Sequence, residues 1–148
     1  MPIINDVIIS PLNIIDVPGG DVMHALKNCD DSYVGFGEAY FSTIDPGQRK
    51  AWKRHREMTL NIVVPVGEIR FVMYDDRNNS ASRGQFHEVI LSLNNYSRLT
   101  VPPMVWMGFQ CMTDVTSMLL NIASIPHDPG ETDKKELKEI KFDWSLHI

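Results

Sequence analysis

The chain has 148 residues, the length of one domain, and 43% of them are hydrophobic, enough to bury a core rather than remain disordered. A formal net charge of −5 argues against nucleic acid as the main partner, because neutralising phosphates needs a basic surface. No apolar run approaches the roughly 20 residues of a membrane-spanning helix, so no membrane partner is expected. Ile3-Ile4 passes at once into Asn5-Asp6, so no leader peptide is expected. Cys29 and Cys111 make no disulfide framework and read as free thiols of a reducing cytoplasm.

In chain order the signals are those of short strands. Asp45-Pro46-Gly47-Gln48 is a turn by composition. Leu60 to Asp75 is two β-rich runs around a tight turn at Pro65-Val66-Gly67, and Asp75 to Ser80 is a polar loop. Phe86 to Leu93 and Leu119 to Ile125 are further strands, with Asn94-Asn95 and Pro102-Pro103 as punctuation between them. Thr132 to Ile140 reads as helical, with Lys135, Glu136, Lys138 and Glu139 on a solvated face. Many short strands separated by turn signals predict an all-β sandwich or barrel. No repeat, linker or low-complexity stretch divides the chain, so residues 1–148 are expected to form one domain.

Two segments carry a metal-site frame without its ligands. Gly47 and Gly67 bracket Lys53, His55 and Leu60 at the spacing that resembles the first cupin motif, in which two His and a Glu stand at those three positions. Pro102-Pro103-Met104-Val105-Trp106-Met107 resembles the second, with Met107 in its His position. One imidazole does not hold a divalent metal, for which three or four ligands are usual. The expectation is a double-stranded β-helix, the cupin jelly roll with a short C-terminal helical turn, that keeps its pocket and uses neither metal nor cofactor.

Further residues narrow the resemblance. Gly67-Glu68-Ile69, Asp75-Asp76-Arg77, the stretch Gly84-Gln85-Phe86-His87-Glu88-Val89, Val101-Pro102 and Gly108-Phe109 resemble the dTDP-4-dehydrorhamnose 3,5-epimerase family. Ile125-Pro126-His127-Asp128-Pro129 and Phe142-Asp143-Trp144-Ser145-Leu146 resemble a shorter branch of it. The resemblance runs from Ile8 to Leu146. It implies a homodimer acting on a nucleotide-linked 4-keto-6-deoxy sugar in surface-polysaccharide synthesis. There a His oriented by a carboxylate removes a proton beside the C4 ketone, a cation stabilises the enolate, and a Tyr on the other face returns a proton. A His suits the general-base role, since its ordinary pKa lies near working pH.

The resemblance puts His55 in the position of the base and Asp143 near that of its orienting carboxylate. Strand alternation sets Lys53 on the same face as His55. Lys53 therefore either supplies the cation for the enolate or points to solvent from a loop. The family's own Lys aligns with Leu60 and its Tyr with Leu120, so both are missing. The replacement acid is open among Tyr40, Tyr74, His24 and a water. The family's phosphate-binding Arg is missing too, leaving Arg54, Arg77 or Lys50 to bind the diphosphate, with Arg77 alternatively paired to its Asp neighbours. Trp52 and Trp106 are placed either to stack on substrate or to pack in the core. Asn121 points opposite to Leu120 and is a candidate substrate contact. Met107 fills space, His87 reads as structural, and His127-Asp128-Pro129 reads as a loop-ordering motif. Two functions stay open: an epimerase or isomerase, and a sugar-nucleotide-binding cupin with a degenerate, inactive site. A metal-dependent cupin enzyme would need ligands that this chain lacks.

Overall fold

A computed structural model describes residues 4–146. Twelve strands account for nearly all of its regular structure. The chain opens with β1 (Ile8–Pro11), an edge strand of the sandwich, followed by a small separate ribbon, β2 (Ile14–Ile15) with β3 (Val22–Met23). The remaining strands are β4 (Glu38–Ile44), β5 (Arg49–His55), β6 (Leu60–Val66), β7 (Ile69–Tyr74), β8 (Phe86–Leu91), β9 (Ser97–Val101), β10 (Trp106–Cys111), β11 (Ser117–Ala123) and β12 (Thr132–Lys134). With β1 they form two antiparallel five-stranded sheets, ordered β1-β9-β6-β11-β4 and β12-β5-β10-β7-β8. No described helix is long and apolar enough to cross a membrane.

The two sheets face each other because alternate residues of each are apolar. Ile62, Leu99 and Leu119 of one meet Ile69, Phe71, Met73 and Leu91 of the other in one buried cluster. The β6–β7 turn closes at Gly67, whose φ of 80° favours glycine. A Cβ there would also collide with Ser117, whose Oγ accepts the Glu68 N–H at 3.1 Å.

The runs at Leu60–Asp75 and Phe86–Leu93 became β6, β7 and β8, and the strand around Leu119 begins two residues earlier, at Ser117. Thr132 to Ile140 is corrected. Its first part is β12, paired to the edge of the second sheet with Thr132 opposite His55 and Lys134 opposite Lys53. Only Leu137–Glu139 is helical, a single 3₁₀ turn closed by Glu136 and Glu139. The Lys- and Glu-rich composition satisfies helix propensity, but pairing with β5 offers this segment a ladder of backbone bonds that an exposed short helix lacks.

A second apolar cluster lies on the outer face of the second sheet. Trp52, Val72 and Trp106 are covered there by Ile140 and Trp144 of the C-terminal segment, with the Trp52 and Trp144 rings 5.4 Å apart. Buried Arg70 fastens this segment. Its guanidinium pairs with Glu88 at 3.0 Å and lies 5.1 Å from the Phe142 ring.

Candidate active site

A cavity of about 660 Å³ opens between the two sheets. Its floor is apolar, with Leu60, Ile62, Met107, Phe109 and Leu119, and its walls carry the polar groups. The strand pairing explains who faces inward. Met107 is opposite Lys53 but Phe109 is opposite Lys50, so β5 carries one extra residue against β10. Lys50, Lys53 and His55 therefore all line the cavity. Trp52 joins the outer cluster, and Arg54 lies against the Trp106 ring of that cluster.

His55 is buried, and its Nδ1 is hydrogen-bonded to Glu131 Oε1. The second Glu131 oxygen accepts the backbone N–H of Glu57 at 3.1 Å and of Met58 at 3.3 Å. Burial pushes the Glu131 carboxyl up, but the bond to His55 and these two N–H groups outweigh it and hold the carboxyl below its usual range. An ionised carboxylate only accepts hydrogen bonds, so the imidazole hydrogen sits on Nδ1. The Nε2 lone pair is left free, and among the described residues no hydrogen bond engages it. Glu131 is positioned by the turn Pro129–Glu131, where the Asp128 side chain accepts the Gly130 N–H at 2.9 Å. This is the loop-ordering work expected of His127-Asp128-Pro129.

Tyr40 faces the cavity from β4, the edge strand of the opposite sheet. Asn121 is its direct cross-strand partner on β11, and the Asn121 amide donates to Tyr40 Oη at 3.0 Å. The mouth is cationic. Lys50, Lys53, Lys134 and Lys135 all line it, together with Glu136 and Glu139. Among the described residues neither Lys53 nor Lys134 has a salt-bridge partner. Lys53 is exposed, yet partial burial lowers its ammonium pKa, Lys134 lowers it further, and Glu131 opposes them.

The structure thus brings together His55, Lys53, Lys50, Tyr40 and Asn121 from the sequence-derived set, with Trp52 touching the same cavity from the outer cluster. The other members lie elsewhere. Glu131, not Asp143, stands against His55. Asp143 rides on the C-terminal segment that covers the outer Trp cluster, where it accepts the Ser145 N–H at 3.0 Å and the Ser145 hydroxyl at 2.6 Å. Arg54 is on the outer face, paired to Asp133 at 2.7 Å and Asp76 at 3.3 Å. Trp106 is there too, donating Nε1–H to Asp76 at 3.1 Å, with the Arg54 guanidinium 4.6 Å from its ring. Arg77 is held by fully buried Asp75, which also accepts the hydroxyls of Ser80 and Ser82, each at 2.6 Å. Arg77 also reaches the Asn5 carbonyl at 2.8 Å, tying down the N-terminal segment. His24 lines a separate cavity beside Arg98, and Tyr74 packs on Phe86. His87 is buried on β8, and burial lowers its pKa.

The cupin ligand positions are occupied by Lys53, Leu60 and Met107 around His55. Among the described residues no group of three His, Cys, Asp or Glu side chains converges. This donor set does not fit a divalent metal.

The two facing sheets with a cavity between them make this protein a cupin-type jelly roll. The profile of the dTDP-4-dehydrorhamnose 3,5-epimerase family matches residues 50–148, and the chain belongs to that family. It is similar to a dTDP sugar isomerase from Desulfovibrio desulfuricans G20, at 38% identity and a TM-score of 0.92 over 95% of this chain and 92% of that one. It is 29% identical to the probable low-salt glycan biosynthesis epimerase Agl13 of Haloferax volcanii, over 100% of this chain and 99% of the relative. The spore coat polysaccharide biosynthesis protein SpsL of Bacillus subtilis is 25% identical over 76% of this chain and 78% of its own length.

Proposed function

We propose that this protein is an epimerase of a nucleotide-linked 4-keto-6-deoxy sugar, working in surface-polysaccharide synthesis without metal or cofactor. The observation that carries the reading is the opposition of two proton carriers across one cavity. His55, oriented by Glu131, stands on one sheet, and Tyr40 stands on the other. Family membership and the glycan- and coat-polysaccharide relatives support the substrate class.

In this mechanism His55 Nε2 takes a proton from the carbon next to the C4 ketone. The C–H electron pair becomes the carbon–carbon double bond of an enolate, and the carbonyl pair moves onto O4. Lys53 supplies the positive charge facing that oxygen, an interaction that strengthens as charge develops. The phenol of Tyr40 then delivers its proton from the opposite face. The double bond closes to the new C–H bond, the carbonyl reforms, and solvent returns a proton to Tyr40 and removes one from His55. The lysines of the mouth offer charge for the diphosphate in place of the family's arginine. Work in the cytoplasm as a homodimer completes the reading. The exposed apolar ribbon side chains Ile14, Ile15, Val22 and Met23 support a partner surface.

The test is solvent exchange. Incubated in D₂O with dTDP-4-keto-6-deoxyglucose and followed by NMR, the protein is expected to incorporate deuterium with inversion. His55→Asn should lower this by about 10²-fold or more. Binding without any exchange would instead establish the inactive sugar-nucleotide-binding cupin.

A further inference from the structure

Only one end of the Asn121 amide is engaged. Nδ2 donates to Tyr40 Oη, while Oδ1 has no hydrogen-bond partner, and the residue is 2% exposed. A buried carbonyl oxygen without a donor works against the fold. The neighbouring positions on this wall, Leu119 and Ile62, show that apolar side chains fit there. The bond to Tyr40 has a second effect. Because Oη accepts from the amide, the phenol hydrogen is left to point elsewhere, and among the described residues Tyr40 donates to nothing.

We infer that Asn121 positions Tyr40 and, through Oδ1, accepts a hydroxyl of the bound sugar lying beside the carbon that Tyr40 protonates. This inference rests on the epimerase reading of the cavity, and it selects the reacting carbon. Of the two carbons flanking a C4 ketone in a 6-deoxy sugar, C3 carries a free hydroxyl and C5 carries the ring oxygen and a methyl group. A buried acceptor beside the proton donor matches C3. The ligand class is an α-hydroxy ketone, its carbonyl toward the lysine side and its hydroxyl on Asn121. A site built to bond a substrate hydroxyl discriminates strongly against the analogue lacking it.

The experiment is the D₂O incubation with dTDP-4-keto-6-deoxyglucose, resolved by position and stereochemistry, using the wild type, Asn121→Leu, Asn121→Asp, Tyr40→Phe and the Asn121→Leu/Tyr40→Phe pair. The wild type should place deuterium at C3. Asn121→Leu should lower the inverted C3 product about 10²-fold while same-face exchange by His55 continues. The double variant should be no worse than Tyr40→Phe alone, because the two residues act as a unit. Asn121→Asp keeps the side-chain shape and decides the matter if Asn121→Leu does not fold. It should also lose inversion, since its carboxylate draws the phenol hydrogen away from the cavity. Deuterium at C5 alone, or full inversion in both Asn121 variants, would overturn this inference and leave the epimerase reading standing. No exchange by the wild type would overturn both.

Discussion

The two faces of β5 hold the same kinds of residue in opposite conditions. On the outer face Arg54 is gripped by two carboxylates and lies against Trp106. On the inner face Lys53 stands across from Lys134, a like-charged pair with no carboxylate in salt-bridge range among the described residues. Like charges placed directly opposite on a sheet are unfavourable, and an apolar pair would serve stability better. The outer charge is therefore part of the architecture, while the inner pair costs the fold something, a cost that the proposed function assigns to an anionic ligand or a developing enolate to offset. The same division covers the rest of the molecule. Arg77 and Arg70 are each matched to a carboxylate and hold segments together, whereas the cavity carries the free Nε2 of His55 and the orphaned Oδ1 of Asn121.

The sharpest test of this division is Glu131→Gln. It is expected to cut deuterium exchange by about 10²-fold or more, because the amide no longer fixes the hydrogen on His55 Nδ1. A ¹⁵N spectrum of the imidazole should show a mixed tautomer, and an unchanged tautomer would separate Glu131 from His55 function. Asp75→Asn tests the architectural side. It should destabilise the protein by about 3–5 kcal/mol in chemical denaturation, since Arg77 loses its buried counter-charge, yet leave exchange per folded molecule unchanged. Lys53→Met should lower kcat by about 10²-fold while the thermal midpoint stays level or rises, because the repulsion from Lys134 is gone. A lower midpoint with normal kcat would reverse the assignment. Arg54→Met should cost about 1 kcal/mol or less and leave substrate KM unchanged. A raised KM would restore Arg54 to the substrate site.

Acid sharpens the comparison further. Burial pushes the Asp75 carboxyl up, but Arg77, Ser80 and Ser82 hold it far below its ordinary value, and Glu131 is lowered as well. A carboxyl depressed in the folded state adds stability that is fully present above its ordinary pKa, near 3.8 for Asp75 and 4.5 for Glu131. That stability is lost as pH falls through the folded-state value. Thermal midpoints measured downward from pH 5 should fall steeply, and less steeply in Asp75→Asn.

How much of this was readable in the sequence follows from contact range. The β6–β7 hairpin and β8 were legible because alternation and turn residues are local signals. His55 and Lys53 were legible from the glycine frame and from sharing a strand. Glu131 was not, because it lies 76 residues from His55 and only the pairing of β12 with β5 brings it there. Its signal was nevertheless present in Asp128-Pro129, a cap and a turn starter that fix the next residues in space. The reading of Asp143 placed the right type of residue on the wrong segment, since nothing local reveals that the tail crosses the outer face. Arg54 and Trp106 were drawn toward the site by sequence neighbourhood, although strand alternation sends each to the other side of its sheet.

Tyr40 and Glu131 share one further property. Tyr40 sits on β4 and Glu131 directly precedes β12, and these are the outermost strands of their sheets. In the proposed mechanism the proton donor and the carboxylate that orients the base are thus carried at the margins of the sandwich, where replacement disturbs the fewest ladders, while His55, Lys53 and Asn121 stay on the inner strands β5 and β11. Such a scaffold can exchange its chemistry by re-cutting its margins. A chimera that takes β4 and the β12 segment from a relative should acquire that relative's stereochemistry without a new core.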